Sequence, residues 1–505
     1  MTRLRFAPSP TGALHIGGIR TALYNYLLAK KYGGRFILRI EDTDQARFVQ
    51  GAEEYIMASL RWLGLETDED PIQGGPFAPY RQSDRTSIYR QYANQLVKDG
   101  KAYLAFDTPE ELDMMRQRLS DQGVPTPKYD ASVRDVMNNS LVLSGEQVEE
   151  LLQRKTPYTV RLKVDPDQSV VIQDKIRGEV VFDASELDDK ILLKADGYPT
   201  YHLANVVDDH LMEITDVIRG EEWLPSTGHH VLLYRAFGWE DTMPTFSHLP
   251  LILKPNGQGK LSKRDGQKFG FPVFPIGWTD YPEGRIDGFD TYGFEPEAVI
   301  NFLAFLGWNP GTEQELFSIE ELIAAFDPER IHKSGARFDY DKALWFNQQY
   351  VQKLDFKDAR SRLEEKLHSD FPHAGRSDLE SIFNLLRPRV QRLTEVILEG
   401  AYFFTDDFPY EENEIAKKWL PELTPLLNTL SGRLKELPFF DASSTSALSK
   451  ELIQASGIKM GNIMPVLRAA LTGKTQGPDV FAIAEILGKE KTIQRIEKLN
   501  IRFTK

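Results

Sequence analysis

Residues 5–18 read RFAPSPTGALHIGG, and the rest of the chain is organised around this stretch. Residues 4–7 are typical of a short strand, whereas the prolines and the glycine of PSPTG interrupt regular structure. A helix is predicted from about His15, because apolar residues follow at helical spacing until Gly33-Gly34. Residues 36–40 are predicted to form a second strand, which leads directly into the acidic sequence EDTD. The order strand, helix, strand predicts a parallel pair with a right-handed crossover.

The polar residues at these strand ends form a candidate nucleotide site. Ligands of open parallel sheets bind beyond the carboxyl ends of the strands, where Ser9, Thr11 and Glu41 lie. The predicted helix N-terminus at His15 adds backbone N–H groups and the positive end of the helix dipole. The Gly17-Gly18 pair lies in the first helical turn, where a glycine weakens a helix by about 1 kcal/mol relative to alanine. A ligand that approaches the backbone closely would explain these glycines, and His15 could donate a hydrogen bond to a phosphate.

Length and composition limit the possible function classes. A chain of 505 residues with 41% hydrophobic residues predicts roughly three packed domains. Apolar runs are too short for a membrane span, and the chain enters a strand at once, so neither a membrane segment nor a signal peptide is expected. Cysteine is absent, which excludes disulfides and thiolate metal ligands and fits a cytoplasmic protein. The net charge of −14 argues against nucleic acid, but residues 351–505 are nearly neutral, so an RNA-binding face is possible there.

Polar residues recur in the second predicted nucleotide-binding half. In YPTYHLANVVDDH, residues 198–210, the spacing places Tyr201, Asn205 and Asp208 on one helix face. A solvated helix face would give the same pattern. Residues 214–218 are predicted to form a strand, and Arg219 stands at its end.

A basic loop follows the apolar run of residues 249–253. Residues 254–266 read KPNGQGKLSKRDG, with glycines on both sides of the basic cluster. A mobile loop that carries Lys260 and Lys263 could close on a polyphosphate and release it. A plain basic surface loop remains the alternative.

Several motifs resemble one enzyme family. HIGG at residues 15–18 resembles the His-Ile-Gly-His motif of class I aminoacyl-tRNA synthetases, with Gly18 in place of the second histidine. FAPSPTG at residues 6–12 is similar to the glutamate-specific branch, and KLSKR at residues 260–264 resembles the second class I motif, Lys-Met-Ser-Lys-Ser. GNIMPVLRAALTG at residues 461–473 resembles a late motif of the helical anticodon-binding region in bacteria. The resemblance covers essentially the whole chain, which is identified as a member of the bacterial-type glutamyl-tRNA synthetase family.

The resemblance implies an α/β Rossmann-type class I catalytic domain with a mixed α/β insertion, followed by an all-α anticodon-binding region. The implied segments are the first half of the catalytic domain (1–106), the connective insertion that binds the tRNA acceptor end (107–190), the second half with the KLSKR loop (191–266), a stem-contact region (267–352) and the anticodon-binding region (353–505).

The resemblance also implies the reaction and its residues. The α-carboxylate of L-glutamate would attack ATP, accompanied by Mg²⁺, and the glutamyl group would pass from AMP to the 3′ end of glutamate tRNA. The implied catalytic residues are His15, Lys260 and Lys263. The implied ATP-binding residues are Thr11, His15, Gly17, Gly18, Glu222, Trp223, Leu224 and Lys263. The implied glutamate-binding residues are Arg5, Ala7, Ser9, Glu41, Tyr201, Asn205 and Arg219.

Two of these assignments also follow from chemistry. Guanidinium groups bind carboxylates in a bidentate manner, so Arg5 and Arg219 suit the side-chain carboxylate of glutamate. Glu41 suits its ammonium group. Two arginines in one pocket favour an acidic substrate over a neutral amide.

The C-terminal region and the insertion carry further expectations. Arg387, Arg389 and Arg392 are anticodon-binding candidates, because an arginine cluster suits a single-stranded RNA loop. Many relatives carry zinc-binding cysteines in the insertion, where this chain has Ala105, Asp107 and Val133, so no structural zinc is expected. The partners are expected to be the acceptor end and anticodon of glutamate tRNA together with L-glutamate, and the protein is expected to be a monomer.

Four alternatives were compared with this interpretation. A glutaminyl enzyme ends in β-barrels, and a tRNA-modifying paralogue lacks the C-terminal region. A catalytically silent relative would usually have lost a motif lysine or the histidine, and an unrelated nucleotide-binding module would not explain the pocket arginines. Charging of glutamine tRNA as well as glutamate tRNA remains open within the family.

Overall fold

The computed structural model describes residues 1–374 and 378–504, which form two compact units. The first unit comprises Met1–Thr291 and Pro296–Ala343, and the second comprises Tyr292–Glu295 and Leu344–Lys505. Within the described residues, no helix is both long and apolar enough to cross a membrane.

The first unit contains strands and helices in nearly equal number. Its strands are β1 (Arg3–Phe6), β2 (Arg35–Leu38), β3 (Ala102–Ala105), β4 (Thr159–Leu162), β5 (Ser169–Asp174), β6 (Gly178–Asp183), β7 (Ile191–Leu193), β8 (Asp216–Gly220), β9 (Thr245–Leu249), β10 (Ile252–Leu253) and β11 (Ala336–Arg337). Its helices are α1 (Ile16–Lys31), α2 (Ala52–Trp62), α3 (Thr86–Lys98), α4 (Pro109–Asp121), α5 (Gly145–Gln153), α6 (Tyr201–Leu211), α7 (Leu224–Phe237), α8 (Lys263–Phe269), α9 (Pro296–Ala304) and α10 (Ile319–Ala325).

A four-stranded parallel sheet forms the centre of this unit. Its strand order is β2-β1-β8-β9, so the two N-terminal strands lie beside two strands that follow much later in the chain. Leu4 of β1 is the register partner of Asp216 of β8, and Arg219 of β8 is the partner of His248 of β9. Because all four strands run in one direction, the residues that follow β1, β2 and β8 meet at one edge of the sheet.

Helix α1 joins β1 to β2 and covers one face of this sheet. The apolar positions Ile16, Ile19, Leu23 and Leu27 are buried, as their helical spacing predicted. The chain turns after the helix at Gly33, whose φ of +58° favours glycine.

The residues between the two halves of the parallel sheet form a separate antiparallel sheet and a hairpin. Strands β3, β4 and β7 make a three-stranded antiparallel sheet, and β5 pairs with β6. Strand β3 follows α3 directly and belongs to this antiparallel sheet, not to the parallel one. The turn after β5 docks on the parallel sheet, because the Lys175 N–H donates to the Phe246 carbonyl at 2.9 Å.

The second unit is helical throughout its described part. Helix α11 (Tyr340–Lys353) contains the boundary between the units, and the helices that follow are α12 (Phe356–Asp370), α13 (Leu379–Leu386), α14 (Glu395–Glu399), α15 (Ala401–Phe404), α16 (Glu412–Lys418), α17 (Leu423–Glu436), α18 (Ala442–Ser456), α19 (Met460–Thr472), α20 (Val480–Leu487) and α21 (Lys489–Phe503). A continuous core rich in leucine, isoleucine and valine joins these helices. Within it, the buried Arg495 donates to the carbonyls of Leu471 and Tyr402.

The structure confirms the predicted fold class and adds local detail, including one correction. The apolar run of residues 249–253 contains the end of β9 and the whole of β10, and the two strands are separated at Pro250. Lys263 does not lie in a loop, since it begins helix α8, which Ser262 and Asp265 cap reciprocally. The Asn205 and Asp208 face of α6 is buried and not solvated.

Candidate active site

A cavity of about 420 Å³ opens at the carboxyl edge of the parallel sheet. The residues after β1, the residue Glu41 after β2, the end of β8 and the N-terminus of α1 all face it. Every predicted catalytic, glutamate-binding or ATP-binding residue except Leu224 lines it, namely Arg5, Ala7, Ser9, Thr11, His15, Gly17, Gly18, Glu41, Tyr201, Asn205, Arg219, Glu222, Trp223, Lys260 and Lys263. Leu224 begins α7, and its side chain packs on the apolar cluster around Leu203 and Leu232.

Arg219 is a buried guanidinium whose hydrogen-bond partners in the described part of the chain are all uncharged. Its Nη1 donates to the Tyr201 hydroxyl at 2.7 Å, and its Nη2 donates to the Thr227 hydroxyl at 2.8 Å. Its Nε donates to Nε2 of His248 at 3.0 Å. A buried positive charge without a carboxylate beside it is unfavourable unless an anion joins it. Arg219 therefore predicts an anionic ligand in this cavity.

The second pocket arginine, Arg5, belongs to a buried network of paired charges. Its Nε and Nη2 donate to the two carboxylate oxygens of Asp209 at 3.0 and 3.2 Å. Arg39 donates to Asp209 at 2.7 Å and to Oε1 of Glu41 at 2.9 Å. Although burial opposes its charge, the two arginines hold the pKa of Asp209 below its usual value. The network thus fixes the positions of Arg5 and Glu41 before any ligand binds.

Glu41 retains one free carboxylate oxygen at the cavity. Its Oε1 accepts from Arg39 and, at 2.9 Å, from the Asn205 amide, whereas its Oε2 has no hydrogen-bond partner in residues 1–374 and 378–504. Burial raises the pKa of Glu41, and the neighbouring Arg39 and Arg5 oppose that shift. Glu41 can therefore accept one further cationic donor at Oε2.

Asp208 lies on the same face of α6 but does not line the cavity. Its two carboxylate oxygens accept from Arg85 at 2.8 Å and from Gln82 at 2.9 Å, and the Tyr89 hydroxyl donates to it at 2.8 Å. The residue is fully buried. Asp208 therefore shares the helical spacing of Tyr201 and Asn205, but its contacts anchor α6 to the segment around α3.

His15 caps helix α1 and presents a single N–H group. Its Nδ1 accepts from the Gly17 N–H at 3.1 Å, so in the neutral ring the proton is on Nε2. Burial, together with the positive charges of Lys263 and Lys260, lowers the pKa of His15 to about 4. The Nε2 atom is buried and has no hydrogen-bond partner in the described part of the chain. At neutral pH, His15 thus offers an unused donor and no net charge.

Two lysines reach the cavity, Lys260 from the segment before α8 and Lys263 from the first position of that helix. Lys260 donates to Oε1 of Glu222 at 2.8 Å, and this contact lowers the pKa of Glu222 although burial opposes the shift. The ammonium of Lys263 lies above the backbone of Gly12, where an added Cβ would come within 3.3 Å of Nζ and 2.7 Å of the Tyr281 hydroxyl. With a φ of +130°, Gly12 is also in a backbone conformation that favours glycine.

In the second unit, the three anticodon-binding candidates have different surroundings. Arg387 donates to the Leu354 carbonyl at 2.8 Å, and Arg392 donates to Glu395 at 2.7 Å. Arg389 is exposed and lines a small cleft with Glu399, Tyr402 and Lys474. Arg389 is therefore the most accessible of the three guanidinium groups.

The positions where many relatives carry cysteines belong to a small core. Ala105 and Val133 are buried in an apolar cluster with Met115 and Tyr129. Asp107 accepts from the Tyr129 hydroxyl at 3.0 Å, and burial raises its pKa. No group of three or more potential metal ligands occurs in residues 1–374 and 378–504.

The sequence did not reveal several residues that organise the site. Arg39 and Asp209 hold Arg5 and Glu41, while His248 and Asp174 hold Arg219. Arg47 lines the mouth of the cavity, where it pairs with Asp44 at 2.6 Å. His248 is the register partner of Arg219, so a prediction that β8 pairs with β9 in this register would have pointed to it.

Comparisons with known proteins agree over nearly the whole length. The family model "tRNA synthetases class I (E and Q), catalytic domain" matches residues 1–345, and "Anticodon binding domain" matches residues 356–500. A glutamate–tRNA ligase of Porphyromonas gingivalis is 51% identical over 98% of this chain and 97% of that protein. A glutamate–tRNA ligase of Amoebophilus asiaticus is 52% identical over the same shares. A glutamate tRNA ligase from Elizabethkingia meningosepticum, crystallised with its amino acid, matches with a TM-score of 0.94 at 47% identity over 99% of both chains.

Proposed function

The chain belongs to the class I tRNA synthetases of the glutamate and glutamine branch, and on this premise we propose how its residues ligate glutamate to tRNA. Its activity is that of a glutamate–tRNA ligase, an aminoacyl-tRNA ligase of class I. The observation that carries the proposal for the site is Arg219, a buried guanidinium with neutral partners at a cavity of about 420 Å³.

The side-chain carboxylate of glutamate binds at Arg219 and Arg5. The two Nη atoms of Arg219 donate only to hydroxyl groups, which a carboxylate can join or replace with a stronger charge-assisted bond. Glutamine carries an amide at the same position, and its NH₂ group would face guanidinium donors. The pocket therefore selects the acid.

The ammonium group of glutamate binds at Glu41. Its free Oε2 faces the cavity, while Arg39 and Asn205 fix the other oxygen at 2.9 Å each. Ala7 and Ser9 lie on the same wall and supply backbone and hydroxyl groups. These contacts leave the α-carboxylate directed toward the N-terminus of α1.

ATP lies across Thr11, His15, Gly17 and Gly18. A Cβ on Gly17 would meet only the His15 ring within 4 Å, so the backbone there is open to a ligand. The free Nε2–H of His15 donates to a phosphate oxygen, and the N-terminus of α1 faces the same charge. Glu222 and Trp223 border the adenosine.

The reaction proceeds in two transfers. An oxygen of the α-carboxylate attacks the α-phosphorus, a P–O bond forms, and the bond to the bridging oxygen breaks, so that pyrophosphate leaves with the electron pair. A terminal ribose hydroxyl of tRNA then attacks the activated carbonyl, loses its proton and releases AMP. Lys260, Lys263 and His15 stabilise the charge that develops on the phosphates. The residues act through charge and position, without a covalent enzyme intermediate.

Mg²⁺ enters this proposal as the companion of ATP. Phosphate oxygens and water supply the hard ligands that it prefers. The cavity carboxylates Glu41 and Glu222 are already paired with Arg39 and Lys260, so neither is assigned to the ion.

The tRNA contacts extend the proposal to both units. We assign the tRNA acceptor end to the insertion and the anticodon to the C-terminal region, as the resemblance implied. The five segments keep the bounds given above, namely 1–106, 107–190, 191–266, 267–352 and 353–505. Arg389, which is exposed, is the preferred anticodon contact. We place the enzyme in the cytoplasm as a monomer, and light scattering of the purified protein tests the latter.

Aminoacylation with labelled glutamate tests the proposal directly. Purified glutamate tRNA and glutamine tRNA are supplied separately with ATP, and labelled glutamine replaces glutamate in a parallel series. We expect ATP-dependent incorporation of glutamate into glutamate tRNA and none of glutamine. Incorporation of glutamine at a comparable rate would contradict the acid-selective pocket, and incorporation of neither would contradict the activity.

A further inference from the structure

The Nε–H group of Arg219 is not directed at the substrate cavity. Its Nε–H donates to Nε2 of His248, its register partner on β9, at 3.0 Å. Nδ1 of the same ring lies 2.6 Å from Oδ2 of Asp174 at the end of β5. All three side chains are buried. Arg219, His248 and Asp174 thus form one continuous line of hydrogen bonds.

The chemistry of the donors fixes the direction of this line. Arginine Nε can only donate, so Nε2 of His248 must accept, and the ring proton is on Nδ1. That proton is donated to the Asp174 carboxylate. Burial lowers the pKa of His248, and the neighbouring Asp174 only partly opposes this shift, so the ring is neutral at neutral pH. Asp174 therefore selects the tautomer that Arg219 requires.

The turn after β5 holds Asp174 in place. Its Oδ1 accepts from the Ile176 N–H at 2.9 Å and from the Arg177 N–H at 2.8 Å. Arg177 in turn donates to the His248 carbonyl at 3.2 Å and pairs with Glu221. The turn therefore docks on β9 and on the segment that follows β8.

We propose that His248 and Asp174 are positioning residues for Arg219, and that the β5–β6 hairpin thereby orients the guanidinium that binds the side-chain carboxylate of glutamate. The inference rests on the proposed role of Arg219. With Nε bound to His248, the guanidinium plane is fixed, and its Nη atoms, which donate only to hydroxyl groups, remain for the ligand. The hairpin lies in the predicted acceptor-end insertion, so a segment expected to contact tRNA also sets the geometry of the amino-acid pocket.

Asp174→Asn is the most informative variant. The Asn oxygen can keep the two turn contacts, but its NH₂ group then faces Nδ1 of His248. The ring must accept there, which places a proton on Nε2 opposite the Arg219 Nε–H. A buried donor left unsatisfied in this way weakens binding by roughly 10- to 100-fold. We expect the glutamate KM to rise by about that factor, with kcat and the ATP KM within about threefold of the parent.

Two substitutions of His248 separate positioning from packing. In His248→Gln the amide oxygen can occupy the place of Nε2 and accept from Arg219, whereas in His248→Asn the shorter side chain reaches only toward Asp174. We expect Gln to restore most of the glutamate affinity and Asn to resemble Asp174→Asn. Asp183→Asn is the matched control, because Asp183 caps the other end of the same hairpin through the Ser185 N–H at 2.9 Å.

Initial rates of glutamyl-tRNA formation are measured at saturating ATP and tRNA with glutamate varied, and calorimetric titration of glutamate provides a second readout. A partly unfolded variant loses kcat at unchanged KM, so lower kcat alone would overturn the inference. An unchanged glutamate KM in Asp174→Asn would also overturn it, as would equal effects of Gln and Asn at residue 248. If Asp174→Asn does not fold, the comparison of His248→Gln with His248→Asn tests the inference. A parent protein that does not charge tRNA would instead contradict the proposed function.

Discussion

Replacing Lys263 with alanine is the sharpest test of the basic KLSKR sequence, residues 260–264, in which α8 begins. The side chain is exposed, and its ammonium makes no hydrogen bond or ion pair within residues 1–374 and 378–504. The cap of α8 is formed by Ser262 and Asp265, so the helix survives the substitution. Any loss of rate therefore reports on the reaction and not on folding.

The expected magnitude follows from the position of the ammonium at the cavity edge. A unit charge about 4 Å from a developing phosphate charge contributes about 4 kcal/mol at an effective dielectric constant of about 20. Solvent screening at an exposed side chain reduces this contribution to about 3 kcal/mol, which corresponds to a factor of roughly 10² in rate. Because Lys263 meets charge that grows during phosphoryl transfer, kcat and kcat/KM should fall together, with the ATP KM changed only a few-fold.

Single-turnover glutamyl transfer with tRNA bound measures this step. Lys268→Ala is the matched control, since Lys268 lies at the far end of the same helix and stacks on Phe269 with Nζ 5.5 Å from the ring centre. We expect the control to retain the parent rate. A Lys263→Ala rate within about twofold of the parent would refute the catalytic assignment. A large rise in the ATP KM at normal kcat would make the lysine a ground-state binder.

The remaining predictions concern four properties of the same unit. Arg219→Ala should raise the glutamate KM by at least about 30-fold while ATP binding persists, because a buried charge-assisted pair contributes about 2–5 kcal/mol, and steady-state kinetics with each substrate varied will measure both. His15→Ala should slow glutamyl transfer by about 10² in single-turnover assays, because its Nε2–H is the free donor at α1. Elemental analysis of protein purified without chelator should find no stoichiometric zinc, since apolar Ala105 and Val133 occupy two of the cysteine positions. Acid should lower the free energy of unfolding between about pH 6.5 and 3, because burial lowers the pKa of His202 to about 3 and the unfolded chain therefore binds the proton first. Urea titrations of the parent and of His202→Asn should show a weaker pH dependence in the variant.

The sequence predicted many of the residues that line the cavity, because strand ends are a local property. Arg5, Glu41 and Arg219 follow or end short apolar runs, and the parallel order of the strands brings such residues to one edge. Leu224, which the resemblance implied for ATP, packs on an apolar cluster and does not line the cavity, since the direction of a side chain at the start of α7 depends on tertiary packing.

The partners of the site residues could not be predicted in the same way. Asp209 and Arg39 lie far from Arg5 in sequence, and their pairing exists only after α6 packs behind the sheet. Asp174 ends β5, a strand that no sequence pattern had indicated. Hydrophobic periodicity carries no information about a hydrogen bond between a hairpin and a neighbouring sheet, so the contacts that position Arg219 could not be predicted from the sequence.

The placement of β1 between β2 and β8 has a consequence for synthesis on the ribosome. The strand that carries Arg5 emerges first, but its second neighbour begins at Asp216. At about 5–20 residues per second, roughly 10–40 s pass before β8 is available. During that interval one edge of β1 is unpaired and Arg5 lacks Asp209, so the nascent N-terminus has an open strand edge beside an unneutralised cation. We expect the insertion to fold first and the glutamate pocket to close only when the chain has returned to the sheet.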